Sequence, residues 1–125
     1  MYLDHFVLTV RDFGRTCEFY STVMGMEVIS FGEGRKALQF GSQKINLHQL
    51  GKEFEPAANQ PTPGSADLCF ISDTPVEKII QELEQHNVEI LDGPVFRTGA
   101  QGKILSVYFR DPDLNLIEVS NSLGV

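Results

Sequence analysis

Four residues of metal-ligating type interrupt β-like runs at matched places in the chain. His5 lies in the first run of the N-terminal half and His48 in the fourth; Asp67 opens the first run of the C-terminal half and Glu118 stands in its fourth. Each has apolar neighbours: Leu47 beside His48, Leu68 beside Asp67, and Ile117 and Val119 around Glu118. Two imidazoles and two carboxylates make a mixed nitrogen and oxygen set suited to Zn²⁺, Ni²⁺, Mn²⁺ or Fe²⁺. Singly, each has a plainer reading, as a satisfied strand histidine or a solvent-facing acid; only the matched placement sets them together. Other groups carry less. Arg97 sits in the glycine-flanked stretch Gly93-Pro94-Val95-Phe96-Arg97-Thr98-Gly99, where it could clamp an anionic substrate or simply face water. No motif supports nucleophilic catalysis by Cys69, and Gly32, Gly34 and Gly41 lack the following helix that a phosphate loop requires.

The elements that must position these residues follow from periodicity. Residues 2–10 alternate, with Leu3, His5, Val7 and Thr9 on one face and Asp4, Phe6, Leu8 and Val10 on the other, which predicts a strand. Asp12 is a suitable N-cap for a helix carrying Phe13, Cys17, Tyr20 and Met24, stopped by Gly25. Strands are predicted over 27–31, 36–40 and 44–49. Residues 51–65, with Pro56, Pro61, Pro63 and Gly64, read as a linker. Then the order repeats: a strand over 67–72, a helix capped by Asp73 or Thr74 with Pro75 in its first turn, and strands over 88–91, 103–110 and 114–120. Val76, Ile79, Ile80 and Leu83 form that helix's apolar face, and Asn87 its stop. The pattern is an α+β fold of two βαβββ modules, 1–50 and 66–125, joined by the linker and curling around a shared cleft. The four ligand-type residues would converge there.

Composition bounds the rest. The 125 residues carry 10 basic and 17 acidic side chains for a charge of −7, the size of one domain and too acidic for a nucleic-acid binder. No apolar run approaches the ~20 residues of a membrane helix, and Asp4 and His5 break any signal-peptide core. Cys17 and Cys69 have neither zinc spacing nor a disulfide framework, so reduced core thiols and a cytoplasmic location are expected.

Leu3-Asp4-His5-Phe6-Val7-Leu8-Thr9-Val10-Arg11-Asp12, Phe19-Tyr20 and Met24-Gly25-Met26-Glu27-Val28 resemble the N-terminal half of the glyoxalase/bleomycin-resistance/dioxygenase (vicinal oxygen chelate) superfamily. Asp111-Pro112-Asp113 leading to Leu116-Ile117-Glu118-Val119 resembles its closing strand. Asn46-Leu47-His48, Gly51-Lys52-Glu53-Phe54-Glu55-Pro56 and the Gly93 to Gly99 stretch are similar to glyoxalase domain-containing protein five and its virulence-associated bacterial relatives. The resemblance implies a curved eight-stranded mixed sheet around a divalent metal that chelates adjacent substrate oxygens. His5 matches the first-strand ligand and Glu118 the last-strand ligand. His48 stands where glyoxalase I has Glu, and Asp67 where it has His. Thr9, four residues after the first ligand, replaces an Arg of glyoxalase I, and Lys52 replaces an Asn, so glutathione hemithioacetal is not the expected substrate. Thr9 and Arg97 are the candidate substrate contacts. The implied activity is lyase or isomerase chemistry on a small oxygenated metabolite or electrophile, with Asp67 or Glu118 moving the proton. The alternatives are a metal-free drug-sequestering protein of the bleomycin-resistance type and an extradiol-type dioxygenase with two-histidine, one-carboxylate iron. A homodimer is expected.

Overall fold

The computed structural model describes residues 1–124. Val125, the last residue of the second expected module, lies outside the described residues. The chain runs β1 (His5–Val10), α1 (Phe13–Thr22), β2 (Glu27–Phe31), β3 (Arg35–Phe40), β4 (Gln43–Gln49), β5 (Asp67–Ile71), α2 (Val76–Gln85), β6 (Asp92–Gly99), β7 (Gly102–Arg110) and β8 (Leu116–Ser122). Two four-stranded mixed sheets result, ordered β1-β4-β3-β2 and β5-β8-β7-β6. In each, the first strand pairs in parallel with the fourth, and the others pair antiparallel. This is the α+β, twice βαβββ architecture that the element order predicts.

Two compact units divide the chain. One comprises Met1–Ala66 with Pro112–Leu114; the other comprises Asp67–Asp111 with the described residues from Asn115 onward. In the first, Leu8, Val10, Leu38, Ile45 and Leu47 are buried together with Tyr20 of α1. Asp12 caps α1 as predicted, its carboxylate accepting from the Arg15 N–H at 3.1 Å. Gly25, at φ +69°, follows the helix end in the left-handed region that glycine takes without strain. In the second unit, Val76, Ile79 and Leu83 of α2 are buried, as are Val107, Phe109, Ile117 and Val119 of the sheet.

Three expectations are corrected. Pro75, not Asp73 or Thr74, is the N-cap of α2, and it offers no side-chain bond. Asn121 of β8 supplies the cap from afar: its Oδ1 accepts from the Val76 N–H at 2.8 Å, while its Nδ2 donates to the carbonyls of Ser72 and Thr74. Residues 88–91 form no strand. The strand is instead β6, the stretch read as a glycine-flanked loop, held against β7 with a register shift between Asp92 and Val95. Gly93, at φ +110°, makes that approach possible, because a Cβ there would collide with the Ser106 carbonyl and come within 2.9 Å of Val107 Cα. Nor are the cysteines core thiols: both are free, with Cys17 half-buried and Cys69 exposed.

Candidate active site

Asp67 and Glu118 are brought together in the second unit. The register pairs Cys69 with Glu118 and Asp67 with Leu116, so both carboxylates leave the same sheet face two residues apart. That face carries a cleft of about 430 Å³ lined by Asp67, Leu91, Asp92, Arg97, Tyr108, Leu116 and Glu118. Glu118 is held at one oxygen: the Ser106 hydroxyl donates to Oε2 at 2.6 Å, and the Ser120 hydroxyl lies 3.4 Å from the same atom. Ser106 and Ser120 hydroxyls are 2.6 Å apart, and the Cys69 Sγ lies 3.4 Å from Ser120. A hydroxyl row therefore fixes Oε2 of a carboxylate that lines the cleft. Burial raises the Cys69 pKa; the Ser120 bond opposes that, and the negative charge of Glu118 adds to it.

Arg97 reaches the cleft, but its donors are engaged. Its Nε donates to the Tyr108 hydroxyl at 3.0 Å, Nη1 to the Phe96 carbonyl at 3.1 Å, and Nη2 lies 3.4 Å from Asp92 Oδ2. It thus orients Tyr108 as well as facing the cleft. Burial raises the Tyr108 pKa; the Arg97 bond lowers it, and the Glu118 carboxylate across the ladder raises it further. Tyr108 is a neutral donor at physiological pH.

In the first unit, His5, Thr9 and His48 share a face, because Thr9 pairs with His48 and His5 with Lys44. Four residues of register separate the two histidines. His5 is exposed, its Nδ1 2.8 Å from Asp4 Oδ2, a carboxylate contact that fixes the ring and leaves Nε2 as the other ring nitrogen. His48 is buried, with its ring edge-on to Phe54 at 5.6 Å. Thr9 is buried beside it. Among the described residues, no three His, Cys, Asp or Glu side chains are gathered so as to hold a metal ion. The predicted quartet thus lies as two histidines on one sheet face of the first unit and two carboxylates on one sheet face of the second.

Sequence reasoning missed Ser106, Tyr108 and Ser120. Their signal was available: in β7 and β8, polar Ser106 and Tyr108 alternate with buried Val107 and Phe109, as Glu118 and Ser120 do with Ile117 and Val119.

The model of the Glyoxalase/Bleomycin resistance protein/Dioxygenase superfamily matches residues 2–119. The chain belongs to this superfamily. Within it, the chain is 57% identical over 118 residues to virulence protein STM3117 of Salmonella typhimurium, covering 94% of this chain and 82% of that protein. The crystal structure of that relative superposes with a TM-score of 0.97 over 98% of each chain. Glyoxalase domain-containing protein RDO1 of Mycosarcoma maydis is likewise 57% identical, over 95% of this chain and 67% of its own length. An integron cassette protein from the mobile metagenome of V. cholerae superposes at TM-score 0.95 with 60% identity, over 97% of this chain and 94% of its own.

Proposed function

We propose that the chain is a glyoxalase-like enzyme of the superfamily, with lyase or isomerase chemistry on a small oxygenated metabolite or electrophile. The observation that carries this is Glu118, a carboxylate fixed at Oε2 by Ser106 and lining the cleft. A base so held loses little orientational freedom when it takes a proton from carbon next to a carbonyl and returns it to the neighbouring atom. Tyr108, kept neutral and oriented by Arg97, is placed to donate to a substrate oxygen. Asp67, on the same face, is the second carboxylate available to relay the proton.

A divalent ion, when bound, would supply Lewis-acid polarisation of a substrate oxygen. His5 or His48 with Asp67 and Glu118 would hold the ion, and in a homodimer both copies of the chain could contribute ligands. Metal analysis of untagged protein after reconstitution should find a stoichiometric divalent ion. Proton exchange at the carbon beside the carbonyl of a 2-oxoaldehyde or hydroxycarbonyl panel, followed by NMR in D₂O, should slow by about 10² or more in Glu118→Gln. An unchanged exchange rate in that variant would overturn the reading.

A second reading has support from the cleft's charge: Asp67, Asp92 and Glu118 face it against Arg97 alone. A metal-free binder of a cationic drug would use those carboxylates. Calorimetric binding of a cationic glycopeptide, unchanged by chelator, would favour this reading over the enzyme.

A further inference from the structure

We propose that the first unit carries a binding site for a small oxyanion, a carboxylate or phosphoryl group, built by Arg35, Lys44 and Asn46 on the sheet face that holds His48. The Arg35 guanidinium carbon lies 5.0 Å from the Phe31 ring centroid and 4.8 Å from that of Phe54. The Lys44 ammonium lies over the same Phe31 ring at 4.2 Å. Aromatic faces steady both cations without neutralising either, and they leave the in-plane N–H fork of Arg35 open for bidentate contact with an oxyanion. Arg11 and Arg97, by contrast, have carboxylate partners. Among the described residues, neither the Arg35 nor the Lys44 side chain has a hydrogen bond or ion pair, on a chain with 17 acidic residues to offer one.

The floor of this site supplies the independent observation. Asn46 is only 6% exposed, and its Oδ1 is buried with no hydrogen-bond partner. It stands between Lys44 and His48 on β4 and, by strand alternation, shares their face. A buried amide left unpaired costs about 1–3 kcal/mol, a cost relieved when a ligand donates to Oδ1 and accepts from Nδ2. Hydrogen phosphate and hydroxycarboxylates carry both kinds of group; an apolar molecule carries neither, and a cation would be repelled by Arg35 and Lys44. All the residues belong to the first unit, and because their face also holds His48, the inference rests on the proposed enzymatic reading and adds an anionic group to its substrate.

The test is calorimetric titration with inorganic phosphate and, separately, with acetate and lactate, at constant ionic strength in chloride. Saturable binding of at least one is expected. Phosphate alone would mark a phosphoryl group and the carboxylates alone a carboxylate; either outcome supports the site. Arg35→Gln and Lys44→Gln should each weaken binding at least tenfold. Lys36→Gln should not, because its ammonium is bonded to Ser30 Oγ on the other face. Wild-type affinity in Lys44→Gln, a substitution that leaves the two rings on Arg35, would overturn the proposal, as would no saturable binding by any of the three anions. Wild-type phosphate affinity in Glu118→Gln is expected, and it separates this inference from the enzymatic reading.

Discussion

The thiol of Cys69 reports directly on the charge of Glu118. It is exposed enough to alkylate, yet burial of its sulfur and the neighbouring carboxylate both disfavour the thiolate, outweighing the Ser120 bond. In a Cys17→Ser background, the pH–rate profile for iodoacetamide should therefore turn over above the ordinary thiol value of 9.0. Glu118→Gln should bring the inflection down, because one cause of the shift is removed. An inflection below the ordinary value would contradict the dominance of burial and of the Glu118 charge over the Ser120 bond. The same shift has a consequence for folding. The folded chain holds the thiol proton more tightly than the unfolded one, so this contribution is complete below the ordinary value. It is lost as pH rises through the folded value.

At the level of elements, the two helices are capped in different ways and should respond differently to losing the cap. Asp12 makes one exposed local bond, and Asp12→Ala should cost about 1 kcal/mol in urea unfolding. Asn121 holds three backbone groups at the start of α2, part-buried, so Asn121→Ala should cost about 2–3 kcal/mol. Equal losses would mean that the long-range cap adds nothing. The contrast also explains what could be read beforehand. Asp12 precedes its helix by one residue and was legible; Asn121 lies 45 residues from Val76, and no local pattern could join them. The strands with one apolar face were found to within three residues. Strand β6 was not, because its mostly exposed residues show no core alternation and its Gly-Pro pair imitates a loop. Likewise, Asp67 and Glu118 stood out as charges in apolar strands, whereas Arg35, Phe31 and Phe54 meet only after two strands and the proline-rich stretch fold together. That stretch, read as a linker, delivers the Phe54 ring to His48 and Arg35.

For the whole molecule, the sheet edges bear on association. β1 and β5 stand at the edges of their sheets and carry exposed Val7 and Ile71. Unprotected strand edges with apolar side chains favour pairing with another chain. Light scattering at micromolar concentration should give twice the 14.0 kDa chain mass; a monomer would contradict the shared-ligand reading. The net charge of −7 would then double on assembly, which makes the unpaired Arg35 and Lys44 more conspicuous still. The borrowed turn Pro112–Leu114 has a different kind of consequence. Asp113 accepts from the Arg11 N–H at 3.1 Å and its guanidinium at 3.2 Å, and the Asp113 carbonyl lies where a side chain on Gly64 would have to go. A gene severed after Ala66 would therefore encode the first unit without its own clasp. An exchange of halves at the proline-rich joint would have to carry that tripeptide along with the first unit to keep its clasp.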